Sequence, residues 1–257
     1  MKITGLRGAI LVCAMTLLSS AALRAQDAVP TEMLSRTVAI STDHLHTYGT
    51  AFNFDYEGKV YLVTARHVVV GVSASNATIQ IFRSGNWVDL HPVKTLYPPT
   101  SDAEIAVFET DEKVTQPYTV TLPAGGDGPT LGQQVWFLGY PRTGTKILLG
   151  SHFSNGDYPF TKRGLMSAID ATNINATVLY VDGFNNPGFS GGPILYWSFN
   201  AHQYKILGVI QGYEPDSAKV NGKQVDTPVL VNSGIAVGYE ISPGLHAIQS
   251  SSPPHTP

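Results

Sequence analysis

Short runs of β-branched and aromatic residues recur along the chain, and turn residues separate them. The runs occupy residues 60–65, 78–82, 105–108, 134–138, 177–181, 205–210 and 234–239. Gly, Asn and Asp supply the turn signals at 57–58, 84–86, 155–157 and 221–222. Short, closely spaced strands of this kind are typical of β-sandwiches and β-barrels. The pattern therefore predicts an all-β fold, with helical turns only after His67 and within residues 243–250.

A Pro- and Gly-rich segment divides these strands into two halves of similar size. It spans residues 116–130, and we interpret it as the connection between two small barrels, not as a flexible linker. The last residues, 251–257, are low in complexity and are predicted to be disordered.

The first 25 residues differ in composition from the rest. Lys2 and Arg7 precede an apolar run at 9–18, and small residues follow at 19–22, which is the order of a secretory signal peptide. The run is shorter than the ~20 residues of a spanning helix, although an uncleaved anchor is the alternative. We therefore expect an exported protein, periplasmic or extracellular, with no stable membrane insertion after cleavage and a folded domain over 26–250.

Composition and charge exclude several functional classes. Hydrophobic residues make up 43% of the chain and charged ones 14%, enough apolar material for a sizeable core. Without the leader, 13 basic and 19 acidic residues remain, and no basic patch indicates nucleic-acid binding. Because the only cysteine, Cys13, lies in the leader, the mature chain has no disulfide, thiolate nucleophile or zinc–cysteine site. We predict no cofactor.

The segment Gly188-Phe189-Ser190-Gly191-Gly192-Pro193 is the strongest chemical signal. A serine needs a base and a site for the oxyanion before it acts as a nucleophile. The glycines permit a tight turn that can aim the amide N–H groups of Gly188 and Ser190 at one point. The sequence therefore predicts Ser190 as a nucleophile beside an oxyanion hole.

A histidine must serve as the base, and His67 is the best of the eight. It directly follows the predicted strand 60–65, and the end of a strand gives a catalytic side chain a rigid platform. His44 and His46 alternate as a metal-binding pair would, but no third ligand is evident, so we interpret them as surface residues. The same interpretation holds for the remaining five, His91, His152, His202, His246 and His255.

These segments resemble a known family. Residues 49–52 (GTAF), 61–69 (YLVTARHVV) and 188–193 (GFSGGP) are similar to motifs of the chymotrypsin-like serine peptidases, in particular the bacterial secreted branch with the HtrA-type enzymes. The resemblance covers roughly 36–241 and keeps the order His, then Ser. It implies two six-stranded antiparallel β-barrels, at about 34–115 and 131–242, with the active site in the cleft between them. About 16 residues follow Ile241, too few for a PDZ-type domain.

The resemblance also implies an acid that orients His67. The family pattern, an acid followed by a short apolar strand, matches the segment from Ser101 to Phe108 best with Glu104 in the acid position. Asp102 lies two residues earlier and would point to the same side of a strand. Either carboxylate can therefore be the third member, with Glu104 favoured.

The substrate pocket is the weakest part of the sequence signal. By resemblance, Phe184 occupies the base of the first specificity pocket, and the strand with Ile210, Gln211 and Gly212 forms a wall. An apolar Phe184 argues against a preference for Lys or Arg and favours a small or apolar residue before the scissile bond.

Two functions remain at this stage. The first is a secreted serine endopeptidase that hydrolyses protein or peptide substrates through an acyl-enzyme on Ser190. The second is an inactive protein- or peptide-binding module on the same fold, because fold does not imply function. An esterase of the α/β-hydrolase type is excluded, since its histidine follows its serine. The sequence leaves the oligomeric state open.

Overall fold

The computed structural model describes residues 28–42, 47–72, 77–111, 128–143, 146–153, 156–217, 219–220, 223–224 and 230–251. Several predictions lie outside these residues: the signal peptide at 1–25 with Cys13, the pair His44 and His46, most of the connecting segment 116–130, and nearly all of the tail with His255. Among the described residues, no helix combines the length and the hydrophobicity that a membrane-spanning segment requires.

Seven strands form the first sheet, in the order β5-β4-β1-β2-β3-β7-β6, and every neighbouring pair is antiparallel. Their bounds are β1 Thr37–Thr42, β2 Thr47–Tyr56, β3 Lys59–Ala65, β4 Ile79–Arg83, β5 Asn86–Leu90, β6 Lys94–Leu96 and β7 Ile105–Thr110. This is one strand more than the six expected, because the three-residue strand β6 adds an edge beside β7. The sheet is not closed; it is a curled half-barrel, which is called the first barrel below.

Six further strands close into a barrel in the order β13-β14-β19-β16-β15-β8. Their bounds are β8 Gln134–Gly139, β13 Phe160–Asp170, β14 Val178–Asp182, β15 Pro193–Ser198, β16 Gln203–Ser217 and β19 Leu230–Glu240. Three two-stranded pairs lie outside it: β9 Arg142–Thr143 with β10 Lys146–Ile147, β11 His152–Phe153 with β12 Gly156–Asp157, and β17 Lys219–Val220 with β18 Lys223–Gln224. The predicted all-β, two-barrel architecture is therefore confirmed.

The helical segments are short. One helix, Thr31–Ser35, precedes the first sheet, a 3₁₀ turn at Arg66–Val69 follows β3, and a helix at Ser242–Ser251 ends the described chain. The last two lie where the sequence predicted helical turns.

Turn chemistry sets the register of the first sheet. Glu57 and Gly58, between β2 and β3, both have positive φ, as do Ser84 and Gly85 between β4 and β5. Two central residues with positive φ are the mark of a type I′ turn, whose twist matches that of an antiparallel hairpin. The resulting β2–β3 register pairs Ala51 with Thr64.

The two barrels share a continuous apolar core. The cluster that fills the first barrel includes Leu138, Leu195 and Val209 from the second. A second cluster inside the closed barrel contains Phe137, which packs edge-to-face on Phe189. Because close-packed interiors resist deformation, this shared core fixes the first barrel relative to the loop that carries Ser190.

Candidate active site

His67 is placed by the end of strand β3. The chain leaves β3 at Ala65 and enters the 3₁₀ turn Arg66–Val69, where Val68 and Val69 are buried. These two apolar side chains anchor the turn, while the His67 side chain, 41% exposed, faces outward. The anchoring fixes the backbone of His67 and leaves its ring accessible to a substrate.

Glu104 faces His67 across the sheet. The β3–β7 register pairs Ala65 with Ile105, so the residues just beyond these ends meet, and the Arg66 N–H donates to the Glu104 carbonyl at 3.2 Å. Glu104 Oε2 lies 3.0 Å from His67 Nδ1 and accepts the His67 backbone N–H at 3.1 Å. A carboxylate can only accept, so this contact assigns the proton to Nδ1. Nε2 then carries a lone pair and can accept a proton from a neighbouring hydroxyl group.

The Asp102 side chain bonds to Asn173 and not to His67. Its Oδ2 accepts a hydrogen bond from Asn173 Nδ2 at 2.9 Å, and both side chains are exposed. Of the two carboxylates that the sequence left open, the geometry brings Glu104 to His67 and directs Asp102 to Asn173. Tyr239 lies nearby, and burial together with the Glu104 carboxylate raises the pKa of its phenol.

Ser190 lies just after a type II turn. Phe189 N–H donates to the Asn186 carbonyl at 3.2 Å, Pro187 occupies the second position and Gly188 the third, with φ of +97°. Proline and glycine are the residues that these two positions favour, because the third needs positive φ. The Ser190 hydroxyl is half-buried and donates to the Gln211 carbonyl at 2.9 Å. No hydrogen bond joins it to His67 among the described residues, and catalytic contacts often tighten only with substrate bound.

The backbone around Ser190 leaves two amides without an acceptor. The N–H groups of Phe189, Gly191 and Gly192 donate to the carbonyls of Asn186, Ile210 and Phe189, respectively. Within 187–192, only the amides of Gly188 and Ser190 have no acceptor among the described residues. These two donors are therefore available to an incoming oxygen atom.

Carbonyl contacts set the direction of these two amides. The Pro187 carbonyl accepts from Arg142 N–H at 2.8 Å, and the Phe189 carbonyl accepts from Gly192 N–H at 2.9 Å. In a trans peptide the N–H points opposite to the C=O. The N–H groups of Gly188 and Ser190 therefore point away from Arg142 and Gly192, respectively.

Gly49 connects the serine and histidine regions. A β-carbon on Gly49 would lie 2.5 Å from the Ser190 carbonyl oxygen and 2.9 Å from Val68. Residue 49 therefore fills the narrow space between the backbone of Ser190 and the side chain of Val68, the neighbour of His67. Only a residue without a side chain fits there.

The predicted pocket residues have mixed environments. Phe184 is 57% exposed, more open than the base of a closed pocket would be. Ile210 is fully buried in the core of the second barrel. Gln211 offers its carbonyl to Ser190, and the Gly212 carbonyl accepts from Asn185 Nδ2 at 2.7 Å. In the described structure, the hydrogen bonds from these wall residues to the serine loop are made by their backbone atoms.

Lys162 was missed by the sequence analysis. This residue of β13 donates to the Phe184 carbonyl and to Asn186 Oδ1, and its ammonium lies 5.0 Å from the centre of the Phe189 ring. Partial burial lowers the pKa of Lys162. These contacts tie both ends of the loop before Ser190 to the barrel wall. In the sequence Lys162 is an ordinary basic residue near a glycine, and no local signal marks it.

In the described part of the chain, no cluster of three His, Cys, Asp or Glu side chains is arranged to hold a metal ion. The side chains of Ser190, His67 and Glu104 and the two amides contribute a hydroxyl, an imidazole, a carboxylate and two N–H donors. Such a set can transfer a proton from the hydroxyl and stabilise a developing oxyanion.

The tight fit of Gly191 gives a test of this geometry. Gly191 has φ of +89°, and a β-carbon there would lie 2.0 Å from the Thr50 carbonyl oxygen. Gly191→Ala is expected to lower the free energy of unfolding by about 3 kcal/mol or more, through backbone strain and overlap. Gly212→Ala is the matched control, since its β-carbon would meet no atom within 4 Å. Equal melting temperatures for the two variants would contradict the described contact.

A family model described as "Trypsin-like peptidase domain" matches residues 49–198, more than half of the chain. A comparison with curated proteins finds no significant match.

Solved structures show the same fold. The Rv3671c protease of M. tuberculosis in its active form has a TM-score of 0.54 at 15% identity, over 87% of this chain and 85% of that one. The HtrA-type protease AlgW with a tripeptide has a TM-score of 0.53 at 21% identity, over 84% of this chain. The match spans 60% of the AlgW chain.

Proposed function

Because the chain belongs to the family of trypsin-like peptidase domains, we propose that it is a serine endopeptidase that acts on proteins or peptides through Ser190. The observation that carries the proposal is the pair of amides of Gly188 and Ser190, which have no acceptor among the described residues and lie beside the Ser190 hydroxyl. The contact of 3.0 Å between His67 Nδ1 and Glu104 supports it.

In the proposed first step, the Ser190 hydroxyl leaves the Gln211 carbonyl and attacks the carbonyl carbon of the scissile bond. His67 Nε2 takes the hydroxyl proton, and Glu104 stabilises the imidazolium that forms. The oxyanion accepts hydrogen bonds from the amides of Gly188 and Ser190. His67 then gives the proton to the leaving amine as the C–N bond breaks, and the acyl group stays on Ser190.

Water completes the cycle. His67 Nε2 takes a proton from a water molecule, whose oxygen attacks the acyl carbon and forms a second oxyanion in the same site. As this intermediate collapses, His67 returns the proton to Ser190 Oγ and the carboxylic acid product leaves.

An inactive binding module is the competing function. It would gain support if no carboxylate reached His67, and the contact with Glu104 speaks against it. We also propose that the protein is exported, on the strength of the leader-like composition of residues 1–25. Loss of these residues from the secreted form, read by N-terminal sequencing, tests the export proposal.

Covalent labelling tests the proposed nucleophile. A fluorophosphonate is expected to modify the folded protein once, and peptide mapping should place the adduct on Ser190. Ser190→Ala should abolish labelling because the attacking oxygen is gone, and His67→Ala should abolish it because no base remains. Folded wild-type protein that never labels would contradict the proposal.

A further inference from the structure

A buried threonine of the first barrel contacts the turn that carries the nucleophile. Thr50 lies in β2 and is fully buried. Its hydroxyl oxygen lies 2.7 Å from the Gly188 carbonyl and 3.0 Å from the Tyr140 amide nitrogen. Its own N–H donates to the Ser190 carbonyl at 2.8 Å. Three hydrogen bonds therefore join one residue of the first barrel to the second.

The direction of the hydroxyl hydrogen bond is unambiguous. A backbone N–H can only donate, so the Thr50 oxygen accepts from Tyr140. The single hydroxyl hydrogen is then left for the Gly188 carbonyl. The Thr50 carbonyl accepts from Thr64 Oγ1 at 2.8 Å, so every polar atom of Thr50 is paired.

The Gly188 peptide needs such a tether. Glycine is free to adopt many backbone conformations. The Gly188–Phe189 peptide lies between the two peptides that carry the N–H groups of Gly188 and Ser190, so its orientation constrains the directions of both N–H groups. The Arg142 N–H holds the Pro187 carbonyl on one side of Gly188. Thr50 holds the Gly188 carbonyl on the other side, and its hydroxyl is the only side chain that bonds to this carbonyl in the described structure.

We propose that Thr50 is a positioning residue for the oxyanion hole. Its hydroxyl holds the Gly188 carbonyl, so that the amides of Gly188 and Ser190 converge on the substrate oxygen. The inference rests on the proposed function, since the position of these amides affects the rate only if Ser190 attacks a carbonyl group.

Thr50→Val removes the hydroxyl at nearly constant volume. Loss of a whole oxyanion donor lowers kcat by about 10²–10³-fold, so misplacing one is expected to lower kcat by about 10–100-fold. KM for a peptide substrate should change by less than about twofold, because the interaction is made only in the transition state. Thr50→Ser keeps the hydroxyl and should keep kcat within about threefold of wild type.

Thr110→Val is the matched control. Thr110 is a buried threonine of the same sheet, and its hydroxyl donates to the Val60 carbonyl in β3. Its loss should leave kcat unchanged. A peptide boronate, whose adduct with Ser190 is tetrahedral, gives the second readout: its affinity for Thr50→Val should weaken in parallel with kcat.

Three outcomes decide the proposal. A folded Thr50→Val variant with wild-type kcat and boronate affinity overturns the role of Thr50. If the valine variant does not fold, equal kcat values for Thr50→Ala and Thr50→Ser overturn it, and a loss confined to alanine supports it. A wild-type chain that neither hydrolyses peptides nor binds the boronate overturns the proposed function itself, and the role of Thr50 with it.

Discussion

Replacing His67 with alanine is expected to lower kcat for peptide hydrolysis by about 10⁴–10⁶-fold. His67 is the imidazole that Glu104 orients, through its ring Nδ1 and its backbone N–H. Without it, no base would take the proton of the Ser190 hydroxyl, because its hydrogen-bond partner in the described structure is the Gln211 carbonyl, and a carbonyl does not remove a proton at neutral pH. KM should change little, because the ring is not the main source of ground-state binding.

The measurement is steady-state kinetics with a chromogenic peptide ester or anilide. His246→Ala is the control, since His246 is an exposed residue of the last helix and has no part in the site. It should keep wild-type kcat. Activity above about one tenth of wild type in His67→Ala would contradict the assignment of the base.

Replacing Glu104 with glutamine is the second substitution that we expect to lower kcat strongly. Glutamine keeps the shape of the side chain and an oxygen acceptor, so the variant should fold. The loss of the negative charge removes the group that stabilises the His67 imidazolium and fixes its tautomer. The corresponding loss in related triads is about 10⁴-fold in kcat, and we expect a loss of this order here.

Asp102→Asn separates the two acids. The Asp102 carboxylate contacts Asn173 and not His67, so the variant should keep kcat within about threefold of wild type. Parallel measurement of both variants under one set of conditions decides the assignment. A large loss in Asp102→Asn with an active Glu104→Gln would reverse it.

The sequence favoured Glu104 but left Asp102 open as the acid beside His67, because the choice depends on the register between β3 and β7. Glu104 and Asp102 are two residues apart, and a period of two places both on one side of an extended segment. Only the pairing of Ala65 with Ile105 shows that residue 104 lies level with Arg66 and His67. That pairing depends on the whole β3–β7 interface, which no local motif reveals.

Local sequence patterns also predicted only some of the strands. All seven predicted runs lie mainly within observed strands, because each is rich in β-branched or aromatic residues, which favour strands. Six strands of the two large sheets were not among the predicted runs: β1, β2, β5, β6, β13 and β15. In β13 most side chains are exposed, so the strand has no apolar run. The sequence also gave no sign of β6, whose three residues extend the first sheet.

Contacts across the two barrels were the least predictable. Thr50 and Gly188 are 138 residues apart, and nothing near either one indicates a hydrogen bond between them. The Tyr140 hydroxyl, which donates towards the Thr37 carbonyl at 3.0 Å, is another such contact, and burial raises the pKa of its phenol. Local patterns therefore predicted the chemical groups of the site, and tertiary packing determined how they are held.

The most direct test of the central claim is proteolysis of a peptide library by the purified chain, with Ser190→Ala measured beside it under the same conditions. We predict cleavage products from the wild-type chain and none above background from Ser190→Ala, with both proteins folded and equally stable in thermal melting. Equal cleavage by the two proteins, or no cleavage by a folded wild-type chain, would contradict the proposal that this protein is a peptidase acting through Ser190.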